Sequence, residues 1–231
     1  VFDIDNTIIR QDQMIGTHQW GDYLYERARR RGVSEGLARE AQHRAFAEVQ
    51  PYLQVVPVED KIKILLKNLE VRGIPHFALT ARSASLKPIT LLQLQVVQHD
   101  FDKNFPVQID KSVLNGVLEG GVIFATGTPK GELLKKIIEN SKRRPKKIVF
   151  IDDRLYNLES VEKSFEQSNI IIESYRYAAA DTIVANFNPK LADIEYSFLK
   201  ESQQLLSDGE AKTLIDLPEQ MVELRFEQFL A

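Results

Sequence analysis

Apolar residues recur along this chain at two different spacings. The runs "IPHFALT", "GGVIFA", "KKIVFID" and "NIIIESY" are short, apolar and without polar alternation, which predicts buried strands. Between them, apolar residues return every third or fourth position. Ile62, Leu65, Leu66 and Leu69 mark one such helix in "VEDKIKILLKNLEVRG", with Gly73 as its stop. A second is "LKPITLLQLQVV" after Pro88, and a third carries Leu133, Leu134, Ile137 and Ile138 in "TPKGELLKKIIEN". There Thr128 predicts the N-cap and Pro129 the first helical position. "NLESVEKSFEQ" supplies a fourth helix. Strands lacking alternation and separated by amphipathic helices predict an α/β fold, a doubly wound parallel sheet covered on both faces.

The rhythm breaks between Ile8 and about Pro57, where two helices and no strand are predicted. The first runs through Trp20, Tyr23, Leu24 and Ala28 to Gly32; the second follows Ser34 through Ala41, Ala45 and Val49 to Pro51. This stretch reads as an insert standing over the sheet edge. Beyond about Pro189, Leu191, Ile194, Phe198 and Leu205 share one stripe of a final helix. The predicted division is a core of residues 1–7 and 58–189, a small helical cap of residues 8–57, and a C-terminal helical extension, residues 190–231, packed on the core.

Composition narrows the function classes. A chain of 231 residues with 43% hydrophobic and 27% charged residues is an ordinary globular sequence with room for one sizeable core. The net charge of −3 does not suggest a general nucleic-acid binder. "KRRPKK", Lys142 to Lys147, reads as a solvated loop, and "RARRR", Arg27 to Arg31, as a helix C-terminus complementing the dipole. Without cysteine, the chain holds no disulfide, thiolate nucleophile or Cys-ligated metal, and tolerates oxidising and reducing compartments alike. No apolar run approaches the roughly 20 residues of a membrane span. Only Val1 and Phe2 precede Asp3, fewer than the about five residues of a usual strand. Upstream residues, with any targeting signal, are therefore expected.

Candidate chemistry sits just after the strands. If Val1 and Phe2 end a strand, Asp3 and Asp5 leave it on the same side. Two carboxylates so close raise each other's pKa unless a cation or several donors neutralise them. Asp152 and Asp153 follow the strand "IVFI", and the C-terminal ends of parallel strands converge on one edge. Hard oxygen ligands with no His or Cys beside them favour Mg²⁺. His18, His43, His76 and His99 are scattered, so none is assigned to a metal. Thr80 ends "HFALT" and offers a hydroxyl beside the backbone N–H of Ala81. Lys130 lies in the first turn of a helix, where the dipole disfavours a cation unless an anion, such as a phosphate, stands near. Taken singly, each has a plainer reading. Thr80 would bond backbone, Lys130 would be a solvated helix charge, and Asp152 and Asp153 would cap the next helix.

"DIDNT", "LTAR", "TPKGE" and "VFIDDR", in that order over roughly residues 1 to 175, resemble the four motifs of the haloacid dehalogenase superfamily of Mg²⁺-dependent phosphatases. The set is similar to a subgroup of bacterial phosphatase-like proteins, several from intracellular pathogens. The resemblance implies a Rossmann-like core with a helical cap after the first strand. It also implies a phosphomonoester phosphatase working through an aspartyl-phosphate. Asp3 would be the nucleophile, Asp5 the acid and base, and Thr80, Ala81 and Lys130 the holders of the phosphate. Mg²⁺ would be bound by Asp3, Asp152 and the backbone carbonyl of Asp5, with Asp153 beside it or acting through water. One departure is Asn6, where the commonest pattern of that family has Gly. The expected substrate is a phosphorylated small molecule or a phosphoprotein, phosphotyrosine included, because a modest cap leaves a pocket open. The rival of another class is a binding module that keeps the fold without turnover. The sequence names no physiological substrate, compartment or oligomeric state.

Overall fold

The computed structural model describes residues 1–215 apart from Asn115 and Arg143, and its chain forms two compact units. The first unit comprises Val1–Arg10 and Pro57–Ala180; the second takes Gln11–Val56 and the chain from Asp181 onward. Residues 216–231 of the expected C-terminal extension, and Arg143 of the basic loop, lie outside the described residues.

The short strands β1 (Ile9–Gln11) and β2 (Val55–Pro57) pair where the chain leaves and re-enters the first unit. That unit is α/β with mixed strand directions. Its parallel strands are β3 (Ala78–Thr80), β5 (Val122–Phe124), β6 (Lys147–Asp152) and β7 (Ile171–Arg176); β3 pairs with β5 and β6 with β7. Phe2 joins the two pairs by parallel bridges to Ala78 and to Ile151. Leu79 N–H donates to Phe2 O at 2.8 Å, and Asp3 N–H donates to Ile151 O at 2.9 Å. These bonds set Asp3 between β3 and β6, directly after the bridged Phe2.

β4 (Leu118–Glu119) departs from the all-parallel expectation by running antiparallel to β5. Gly120 and Gly121, at φ +57° and +72°, form the two-residue turn between them, a conformation that side chains with a Cβ resist. A Cβ on Gly121 would also stand 2.1 Å from the Phe101 carbonyl carbon.

The helices α3 (Asp60–Val71), α4 (Lys87–Leu94), α5 (Lys130–Glu139) and α6 (Leu155–Phe165) fall in the predicted stretches. In α5, Pro129 rather than Thr128 is the N-cap, so Lys130 is the first helical residue. Leu134, Ile137 and Ile138 of α5 and Leu158, Val161 and Phe165 of α6 pack with Leu79, Ile123, Ile148 and Phe150 of the sheet.

Apart from the strand residues Gln11, Val55 and Val56, the regular structure described in the second unit is helical, with α1 (His18–Arg30), α2 (Glu35–Val49), α7 (Asp181–Ala185), α8 (Pro189–Ser202) and α9 (Asp208–Thr213). Trp20, Leu24 and Ala28 of α1 and Ala38, Ala41, Ala45 and Val49 of α2 share one core with Ala192, Tyr196 and Leu199 of α8. Small residues along α2 let the helices approach closely. The sequence put the C-terminal helix on the α/β core; in the structure α8 belongs to the second unit, where Ala192, Tyr196 and Leu199 share a core with α1 and α2, and the predicted stripe of Leu191, Ile194 and Phe198 packs with Leu206, Ala211 and Leu214. Trp20 packs against Tyr196, and Arg27 bonds both Tyr23 and Asp193 at 2.9 Å. These aromatic and basic residues thus serve packing. Glu195, wholly buried, accepts from the N–H groups of Met14 and Ile15, and burial and Asp208 raise its pKa to about 9. Among the described residues, no helix is long and apolar enough to cross a membrane.

In the first unit two of the scattered histidines meet. His76 Nδ1–H donates to Ile74 O, so the neutral His76 Nε2 accepts from His99 Nε2–H, at 2.7 Å. Burial holds both imidazoles below their ordinary pKa, and for His99 the charge of His76 acts in the same direction. The folded chain therefore takes up these protons less readily than the unfolded one. The pair contributes stability above about pH 6.5 that is lost as pH falls through the lowered folded values. The urea midpoint is expected to drop between about pH 7.5 and about pH 5.5, and to drop less in a His76→Gln/His99→Gln variant. An equal drop in the variant would contradict this role.

Candidate functional site

Every residue singled out in the sequence for chemistry lies in the first unit, Asp3, Thr80, Ala81, Asp152 and Asp153 at or just past strand ends and Lys130 at the start of α5. After Phe2 the chain folds back on itself: Thr7, Ile8 and Ile9 all donate N–H groups to Ile4 O. Ile4 is fully buried, while Asp3 and Asp5 flank it, also buried. Asn6 adopts φ +61°, a region that Gly enters without cost and Asn tolerates better than most residues. Asn6 thus meets the same backbone demand as Gly, and its Nδ2 adds a bond to Asp153 Oδ2 at 3.2 Å.

Lys130 is 3% exposed, which removes the solvated reading. Its ammonium donates to Asp3 Oδ1 and, at 2.7 Å, to Asp152 Oδ2. The neighbouring Gly131 puts it there. A Cβ at Gly131 would lie 2.1 Å from Ser160 O, so only glycine lets the start of α5 press onto α6. Asp152 is held from the other side by Asn157 Nδ2, at 2.9 and 3.0 Å, and by the Arg154 N–H at 2.9 Å. Asp152 therefore ties itself to the start of the following helix, through the N–H of its N-cap Arg154 and the Asn157 side chain, without itself being the cap, and also meets Lys130. The Thr80 hydroxyl accepts from the Arg82 N–H at 3.1 Å, a backbone role, while Ala81 is exposed at the strand end.

Asp5 stands apart from this group. Arg82 Nε donates to Asp5 Oδ2 at 2.8 Å and Nη2 to Asp5 Oδ1 at 2.7 Å, a two-pronged pair with both side chains buried. Arg82 Nη1 donates to Thr90 and Gln93 on α4. One oxygen each of Asp3, Asp152 and Asp153 lies within 4.8 Å of the others, so Asp153, expected beside a metal, offers a ligand atom directly.

Burial pushes the Asp3 carboxyl well above the ordinary carboxylate value; Lys130 pulls it down, while Asp152, Asp153 and Asp5 add repulsion. Burial also works against the Lys130 charge, yet Asp3 and Asp152 hold its pKa above the ordinary ammonium value. The buried carboxylates Asp3, Asp5, Asp152 and Asp153 face two buried cations, Arg82 and Lys130. Asp3 and Asp152 share the single Lys130 ammonium, so this part of the group favours a proton or a further cation. A hard divalent ion fits the donor set of carboxylate oxygens. Replacing buried ion pairs with apolar side chains is often neutral or stabilising, so stability alone does not explain six buried charges.

Arg82 and Asn157 were not singled out in the sequence. Their signal was present in "LTAR" and in the fifth position after Asp152, one helical turn into α6.

Residues 1–212 match the model of a family described as "Protein of unknown function (DUF2608)", and the chain belongs to that family. A Chlamydia muridarum relative is 26% identical, covering 93% of this chain and 81% of its own length. Relatives from Chlamydia trachomatis and Chlamydia pneumoniae are 24% and 23% identical, covering 93% of this chain and 80% and 81% of their own. All three carry the name "Putative outer membrane protein". No solved structure matches the chain.

The close seat of Lys130 is testable without any assay of function. Gly131→Ala is expected to lower stability by about 1–3 kcal/mol or more, the range of overpacked interiors, read as a fall in the urea midpoint. An unchanged midpoint would contradict the close approach of α5 to α6.

Proposed function

We propose that this member of the DUF2608 family is a Mg²⁺-dependent phosphomonoester phosphatase acting through an aspartyl-phosphate on Asp3. The carrying observation is that oxygens of Asp3, Asp152 and Asp153 converge, with the buried Lys130 ammonium bonded to Asp3 and Asp152. The haloacid dehalogenase reading of the fold, with a doubly wound core, draws support from the parallel strands around Phe2 and from the motif residues at their C-terminal ends.

An Asp3 oxygen attacks phosphorus as the ester P–O bond breaks, and Asp5 gives its proton to the departing oxygen. Water then attacks the aspartyl-phosphate, its proton passes to Asp5, and phosphate leaves with the Asp3 carboxylate restored. Lys130 stays charged throughout and offsets negative charge on Asp3 and on the phosphoryl oxygens. Thr80 and the Ala81 N–H border the phosphoryl site. Asp3, Asp152 and Asp153 would hold Mg²⁺, which when bound would add neutralisation of the phosphoryl oxygens. The substrate class is a phosphorylated small molecule or a phosphoprotein. The relatives' name adds a place, the bacterial envelope, and a cysteine-free chain tolerates that oxidising setting.

Purified protein is expected to release phosphate from a panel of phosphomonoesters with Mg²⁺ and not with EDTA, and Asp3→Asn to lose at least about 10³-fold, the loss expected of a nucleophile. A folded protein inert toward the whole panel with Mg²⁺, or an Asp3→Asn variant as active as the parent, would sink the reading and favour a binding module.

A further inference from the structure

We infer that Arg82 is a positioning residue that aims Asp5 for proton transfer to the leaving group, an inference that rests on the phosphatase reading above. Both Asp5 oxygens receive bonds from one guanidinium, through Nε and Nη2, at 2.8 and 2.7 Å. A planar fork meeting a planar carboxylate fixes the orientation of the acid as well as its place.

The guanidinium is itself fixed without help from Asp5. Its third nitrogen, Nη1, donates to Thr90 Oγ1 at 3.0 Å and to Gln93 Oε1 at 2.6 Å, and both partners are buried on α4. The backbone of Arg82 is tied as well, through its N–H to Thr80 Oγ1 at 3.1 Å. Asp5 can therefore give up one of its two bonds, turn toward a departing oxygen and return, while Arg82 remains in place. Lys130 serves Asp3 and Asp152; Arg82 serves Asp5. The two cations are thus divided between the nucleophile and the acid. Thr80 links the divisions, because the residue bordering the phosphoryl site also anchors the backbone of the residue that aims the acid.

A positioning role of this kind predicts a loss that depends on the leaving group. Departure of a nitrophenolate needs little protonation, whereas departure of an alkoxide needs it fully. The ratio kcat/KM reports steps up to departure of the leaving group, so it isolates the first proton transfer from the later hydrolysis. We would measure it with Mg²⁺ for a series of esters from p-nitrophenyl phosphate to simple alkyl phosphates. The wild type, Arg82→Gln, Arg82→Lys, Thr90→Val and Asp5→Asn would be compared.

Arg82→Gln is expected to lose about 10²-fold toward alkyl phosphates, within the span that general acid catalysis supplies, and less than about tenfold toward p-nitrophenyl phosphate. Asp5→Asn should show the same gradient more steeply. Arg82→Lys restores a charge without the fork and should fall between Arg82→Gln and the wild type. Should Arg82→Gln not fold, Thr90→Val loosens the anchor and should show the same gradient at smaller amplitude. An equal loss toward every ester in the folded variants would overturn the positioning role while leaving the phosphatase reading intact. A wild type inert toward every ester overturns that reading, and this inference with it.

Discussion

The structure of the first unit turns on one constraint: four carboxylates and two cations are buried together beside the parallel bridges that Phe2 makes to Ala78 and Ile151. Such a group holds together only if each charge has a defined partner, since an unpartnered buried charge costs several kcal/mol. The surrounding elements meet that demand in turn. Gly131 brings the start of α5 close enough for Lys130 to reach Asp3 and Asp152. Asn157, one turn into α6, holds the far side of Asp152. Thr90 and Gln93 on α4 fix Arg82, and through it Asp5. Even the left-handed Asn6, which lets the chain turn between the two aspartates and Ile8, sends its amide to Asp153.

Much of this was legible in the sequence because its signals are local. Apolar runs ending in Asp3, Thr80 and Asp152 locate three strand ends, and parallel strands bring those ends to one edge whatever their detailed register. The α/β class and most helices follow from the same periodicity. Arg82 was harder to read, since its partner Asp5 lies 77 positions away and nothing in "LTAR" alone says which residue the guanidinium meets. The antiparallel β4 was hidden because a two-residue strand carries no period of its own; its trace is the Gly120–Gly121 pair. The C-terminal helix illustrates a further limit. The stripe of Leu191, Ile194 and Phe198 says that one face is buried, not what buries it; that face packs with Leu206, Ala211 and Leu214, while Ala192, Tyr196 and Leu199 on another face meet α2 and Trp20.

The haloacid dehalogenase reading assigns a task to each member of the buried group, and the geometry gives those tasks a physical basis. Lys130 and the convergence of Asp3, Asp152 and Asp153 form one half, suited to holding a phosphoryl group and a hard cation. Asp5 with Arg82 forms the other, suited to moving a proton. Asp3 pairs with Lys130 and Asp5 with Arg82, so on the proposed reading the two carboxylates, two residues apart, would take different tasks.

The central proposal is that the carboxylates of Asp3, Asp152 and Asp153 hold a divalent ion. Calorimetric titration of the folded protein with Mg²⁺ tests it most directly, with Asp152→Asn alongside. One saturable ion per chain, bound at least about tenfold more weakly by the variant, is the predicted result. A folded wild type with no saturable uptake of Mg²⁺, or an affinity unchanged by Asp152→Asn, would contradict it.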